Sequence, residues 1–167
     1  MELNSRKQLR LKNYDYRATG SYFITICTEQ KRCVLSQIVQ MDQLSRAHVQ
    51  LTELGYIVQA VLADLEGRYN VSVDSYVIMP NHVHFILIQN QQLSSKTVGQ
   101  IVGALKSLVT KRWRDRCNAC GIEMGKLWQR NYYEHIIRND EDYREKAKYI
   151  DENPDKWCLD SEYAPHS

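Results

Sequence analysis

His82-Val83-His84 sets two imidazoles two residues apart inside an apolar, β-branched run, His82–Gln89. In a β-strand residues i and i+2 leave the same face. Both rings would therefore point to one side, as two ligands of one metal ion must. The competing reading is the polar face of an ordinary half-exposed strand, and only partners elsewhere in the chain decide between them. The late stretch DEDYREKAKYIDEN supplies candidates. At ~100° per residue Asp142, Lys146, Tyr149 and Asn153 share one helical face, with Tyr149 and Asn153 one turn apart. A tyrosine hydroxyl can act as a covalent nucleophile. An amide oxygen can complete the coordination of a hard divalent cation. Tyr149 also fits an ordinary boundary tyrosine.

The elements that must position these groups follow from hydrophobic periodicity. YFITICT (Tyr22–Thr28) reads as a strand, and CVLSQIVQ (Cys33–Gln40) as a less regular one. From about Ser45 to Tyr69 apolar residues recur at spacings of three and four, which predicts a helix. Val71–Met79 and His82–Gln89 alternate as strands around Pro80, and the short link predicts an antiparallel hairpin. A helix follows over Thr97–Arg114, capped by Ser94 or Ser95, with Val98, Ile101, Val102, Leu105, Leu108 and Val109 as its buried stripe. Cys117–Lys126 reads as a loop, Leu127–Arg138 as a strand, and a last helix runs from Asn139 or Asp140 to a stop at Pro154. This order predicts an α+β domain: one mainly antiparallel sheet with helices packed on a face. A single domain spans 1–167, with a basic arm at 1–19 and a short tail at 155–167.

Composition narrows the setting. Of 167 residues, 43% are hydrophobic and 25% charged, which suits one globular domain with a sizeable core. No apolar run approaches the ~18–20 residues of a membrane span, so no membrane partner is expected. The basic N-terminus lacks the apolar core of a secretory signal. Five cysteines without framework spacing make a reducing cytoplasm the simplest compartment. Cys117-x-x-Cys120 stands alone and reads as loop thiols rather than a zinc site. The net charge of +2 hides a local excess: Lys96, Lys106, Lys111, Arg112, Arg114 and Arg116 face one acid, Asp115, across Lys96–Arg116. The arm adds Arg6, Lys7, Arg10, Lys12 and Arg17. Such patches fit either a polyanion-binding face or a solvated helix face.

Three stretches taken together carry a family resemblance: PNHVHFIL (Pro80–Leu87), WQRNYYEHIIR (Trp128–Arg138) and DYREKAKYIDENPDKW (Asp142–Trp157). With the opening YDYRATGSYFITICT (Tyr14–Thr28), the chain resembles the Y1 transposases of the HUH class. More narrowly, it is similar to the IS200-like branch of REP-associated tyrosine transposases. HxH alone is a weak signal; HxH after Pro-Asn, then an EHIIR strand, then Tyr-x-x-x-Asn-Pro on a helix is a specific one.

The resemblance implies a ferredoxin-like HUH fold and a metal-dependent transposase that cleaves and rejoins single-stranded DNA at hairpin ends through a 5′-phosphotyrosine. Tyr149 would be the nucleophile, and His82, His84 and Asn153 the ligands of Mg²⁺ or Mn²⁺. Two imidazoles are softer donors than Mg²⁺ usually takes, which keeps Mn²⁺ open. Asn81 would support the site or serve only the turn, and His135 would contact the site region or be a structural histidine. Lys106, Lys111, Arg112 and Arg138, with Arg10, Lys12 and Arg17 of the arm, are candidates for contacts to the DNA backbone; Arg138 could equally pair with Asp140 or Asp142. Tyr14 and Tyr16 could stack on unpaired bases. The chain stops soon after Trp157, short of the longer C-terminal segment of many REP-associated members. Monomer or homodimer, with the Tyr149 helix acting in cis or in trans, both remain open. The alternatives are a hairpin-binding module that no longer cleaves, another HUH-type nickase, and an unrelated metal-binding regulator.

Overall fold

The computed structural model describes residues 20–39, 46–89 and 96–159. The arm residues Arg10, Lys12, Arg17, Tyr14 and Tyr16, the caps considered at Ser94 and Ser95, and residues 160–167 lie outside the described residues. The strands are β1 (Gly20–Cys27), β2 (Ser36–Val39), β3 (His48–Leu51), β4 (Val71–Ile78), β5 (His82–Gln89) and β6 (Tyr133–Ile137). The helices are α1 (Glu53–Tyr69), α2 (Val98–Ala119) and α3 (Asp140–Leu159). The main sheet has the order β4-β5-β1-β6, antiparallel at every junction. With α1 between β1 and β4 and α2 between β5 and β6, this is the ferredoxin-like βαββαβ arrangement. β2 and β3 add a separate two-stranded ribbon.

Alternation along the two central strands decides which side of the sheet is available for chemistry. Tyr22, Ile24 and Ile26 of β1 and Val83, Phe85 and Leu87 of β5 are buried in one cluster with the apolar stripes of α1 and α2. Each large side chain buried this way contributes roughly 1.5–3 kcal/mol. An exposed ion pair contributes about 0–1 kcal/mol, so the core, not surface charge, fixes the orientation of β1 and β5. The alternate residues, Phe23 and Thr25 on β1 and His82 and His84 on β5, must then face the other way. There α3 covers them through a smaller cluster of Phe23, Val77, Met79, Ile86 and Ile150. The expected mainly antiparallel sheet with packed helices is thus present, α1 and α2 on one face and α3 across the other.

Several boundaries differ from the sequence expectations. The helix expected from Ser45 begins at Glu53, because Val49 and Leu51 are drawn into β3 by pairing with Ile38 and Ser36. Thr52 caps α1 by accepting from the Gly55 N–H. Gly55 is required there: a Cβ would lie 2.1 Å from the Leu35 carbonyl oxygen. Thr97 caps α2 in a reciprocal pair with Gln100, and the helix runs to Ala119, absorbing part of the expected loop. The expected long strand at Leu127–Arg138 reduces to a lone bridge at Trp128 and to β6.

The last helix does not stop at Pro154. Residues 155–159, expected as the start of a tail, continue α3. Proline removes one helical N–H, and tertiary contacts hold the next turn. The Asp155 carboxylate accepts the Ala47 N–H at 2.7 Å, Arg46 bridges Asp151 and Asp155, and Trp157 packs 6.0 Å from the His82 ring.

Candidate active site

β5 brings His82 and His84 to the α3 side of the sheet with ring centroids 4.5 Å apart. Each ring is anchored through one nitrogen. His82 Nδ1 lies 2.7 Å from Asn81 Oδ1, an acceptor only, so Nδ1 carries the proton and Nε2 keeps its lone pair. His84 Nδ1 lies 2.7 Å from Thr25 Oγ1; with that oxygen accepting, His84 Nε2 is free in the same way. Burial pushes His82 down to about 4, against a hydrogen bond with Asn153 that favours its charged form. Burial, helped by His82, pushes His84 down to about 3. Both imidazoles are thus neutral at neutral pH, the state in which they donate lone pairs to a cation.

From the opposite side, α3 places Tyr149 with its ring 5.2 Å from His84 and 5.9 Å from Phe23. One turn on, the buried Asn153 stands near enough to His82 to favour the ring's charged form. The Lys156 ammonium stands 5.1 Å from the Tyr149 ring centroid. Beside Tyr149 opens a cavity of about 530 Å³, floored by Phe23, Thr25 and His84 and rimmed by Tyr133, Lys146 and Lys156. A slightly larger groove, about 590 Å³, lies across α3 beside Arg46, Asp74 and Asp151, with neither histidine nor Tyr149 on its walls. Tyr149 itself is 40% exposed, so an external group can reach it. Neutral imidazoles anchored by their far nitrogens, with an amide oxygen beside them, are a fitting donor set for a divalent cation. Among the described residues no three His, Cys, Asp or Glu side chains gather as a metal site; the third donor here would be the amide.

The structure thus brings His82, His84, Tyr149, Asn153 and Asn81 together. His135 is elsewhere on the same side of the sheet: its Nε2 meets the Asp142 carboxylate at 2.8 Å and ties β6 to the first turn of α3. The basic candidates are more occupied than expected. The Lys106 ammonium donates to the carbonyls of Gln129 and Asn131, both at 2.9 Å, and burial holds it below the usual lysine range. Arg112 pairs with Asp64 of α1 at 2.5 Å, and Lys111 with Asp115 within its own helix. Arg138 is exposed and touches Asp142 through its backbone N–H. The periodicity of YFITICT already put Thr25 beside Phe23 on one face, but its role behind His84 depends on the Thr25–His84 register. Trp157 and Lys156 were hidden behind the expected stop at Pro154.

The family described as transposase IS200 like matches residues 18–153. An uncharacterised protein of Haemophilus influenzae is 35% identical, over 96% of this chain and 94% of its own length. The REP-associated tyrosine transposase of Escherichia coli is 30% identical over 50% of this chain and 44% of its own. Among solved structures, a REP-associated tyrosine transposase bound to a REP hairpin superposes with a TM-score of 0.58 at 21% identity, covering 88% of this chain and 73% of the other.

Proposed function

The chain belongs to the IS200-like transposase family, and on that premise we propose that it cleaves and rejoins single-stranded DNA at hairpin ends through a 5′-phosphotyrosine on Tyr149. The observation that carries this reading is the meeting of two elements: the Tyr149 ring stands 5.2 Å from the His84 ring, and Asn153, one turn later on α3, is buried near His82. Tyr149 Oη would attack phosphorus, forming the O–P bond as the P–O3′ bond breaks. The phenolic proton leaves, and the departing 3′ oxygen ends as a hydroxyl. Reversal by a second 3′-hydroxyl rejoins strands without an external energy source, because the phosphodiester energy is kept in the tyrosine ester.

His82, His84 and Asn153 would hold Mg²⁺ or Mn²⁺. Bound there, the ion would supply Lewis-acid polarisation of the scissile phosphate. Asn81 and Thr25 orient the two rings, Phe23 sets the angle of Tyr149, and Lys156 puts positive charge where phosphate oxygens gather. Hairpin DNA as the substrate class is supported by the structural relative seen with a REP hairpin. Lys111, Arg112 and Arg138, together with Arg10, Lys12 and Arg17, would contact the DNA backbone. Lys106 would act indirectly by holding residues 129–131.

The test is a labelled hairpin with single-stranded arms, incubated with protein and Mn²⁺ and resolved in SDS. Wild type should give a protein–DNA adduct and Tyr149→Phe none. An adduct undiminished in Tyr149→Phe would remove the nucleophile assignment. Hairpin binding with no adduct in either metal would favour the alternative, a module that binds hairpins without cutting them.

A further inference from the structure

Tyr133 has no part in the reading above, yet it stands on the same side of the sheet as His84. Thr25 pairs with His84 on one side and Tyr133 on the other, so the three form one rung across β5, β1 and β6. At the usual strand spacing Tyr133 is about 10 Å from His84, and both border the cavity beside Tyr149. Phe23 and Ile86 of the next rung are buried, whereas Tyr133 is 52% exposed. Phe23 meets its ring edge to face with centroids 6.4 Å apart, which fixes the ring without covering it.

Resting on the assignment of Tyr149 as nucleophile, we propose that Tyr133 is a stacking platform for the unpaired nucleobase adjoining the scissile phosphate. Tyr149 and Tyr133 line the same cavity, so a nucleotide adjoining a phosphate at Tyr149 lies within reach of the Tyr133 ring. Lys146, Lys148 and Lys156 line this cavity together with Glu145 and Glu152, and Glu152 pairs with Lys148 and Lys156. The lysines suit the phosphate, and the exposed ring of Tyr133 offers a π-face to a base. Every base presents a π-face, so this subsite adds affinity and positioning with little choice among bases.

The probe is a DNA hairpin whose single-stranded arm carries 2-aminopurine at successive positions, one oligonucleotide per position. It is bound to wild type, Tyr133→Phe, Tyr133→Leu and Tyr133→Ala. The leucine variant keeps apolar bulk on the strand and removes only the ring. Wild type and Tyr133→Phe should quench the fluorophore next to the phosphate found in the adduct. The leucine and alanine variants should lose that quenching and bind roughly 5- to 100-fold more weakly, by a similar factor whichever base stands there. Unchanged affinity and quenching in Tyr133→Leu, with adduct formation intact, would overturn the proposal. So would a loss in Tyr133→Phe as large as in Tyr133→Ala, which would place the role in the hydroxyl. Ring-dependent quenching in a protein that forms no adduct would instead leave the base platform standing and remove the nucleophile.

Discussion

Asn81 fixes which nitrogen of His82 is available and Thr25 orients the ring of His84, and their removal separates binding from folding. Asn81→Ala deletes the acceptor of His82 Nδ1 and also a buried Nδ2 that has no partner. The two changes offset each other in stability, while the ring loses its orientation. Mn²⁺ affinity of Asn81→Ala or Thr25→Val, read by calorimetry, should fall roughly 10–100-fold, with thermal unfolding nearly unchanged for Asn81→Ala. The histidines also make stability depend on acid. Their folded values, about 4 and about 3, lie below the unfolded value near 6.5. Below that value the unfolded chain takes up protons that the folded one refuses. Without metal, stability should therefore be complete above about pH 6.5 and fall as pH drops toward the folded values. Thermal melts between those limits should show a shallower slope in the His82→Asn, His84→Asn double variant.

Among the elements, α3 carries both Tyr149 and Asn153, so its docking governs the site. Its first turn is tied to β6 by His135 and Asp142, and Tyr143 donates to Asp74 of β4. Its last turns are held by Asp155 on the Ala47 N–H. The Arg46 bridges to Asp151 and Asp155 are largely exposed and contribute little. Asp155→Ala should cost about 1–3 kcal/mol by leaving a half-buried N–H unpaired. Hydrogen exchange should then rise in 151–159 more than in β5, and adduct formation should drop. At the other end of the domain, α1 approaches the segment before β2 only because residue 55 has no side chain. Gly55→Ala forces a Cβ onto the Leu35 carbonyl and should destabilise by about 1–3 kcal/mol, seen as a lowered melting temperature without loss of the residual protein's activity.

For the whole molecule the question is whether one chain is sufficient. α3 lies on the sheet of the same chain, with ties at both ends, and brings the Tyr149 ring 5.2 Å from that of His84. Mixing Tyr149→Phe with a His82→Ala, His84→Ala variant should therefore restore no adduct. Recovery approaching half the wild-type yield would mean that the helix is exchanged between copies. Segregation of the two sheet faces makes this arrangement stable: α1 and α2 bury the larger cluster, and the opposite face is left for a thinner cover that admits polar groups.

The amino-acid sequence by itself determined the strand pair around Pro80, the common face of His82 and His84, the one-turn spacing of Tyr149 and Asn153, and the βαββαβ order. These follow from short-range rules: alternation at two, recurrence at 3.6, and a proline break. What only the tertiary structure decided involves partners far apart in sequence. Thr25 supports His84 across 59 residues through strand register, Lys106 is drawn from solvent to the carbonyls of residues 129–131, and α3 survives Pro154 because the Ala47 N–H on Asp155 and the packing of Trp157 near His82 hold its last turns. Residues 48–51 likewise leave a helical pattern to become β3. In each case a long-range contact overrides a local preference of similar size, and no local period records it.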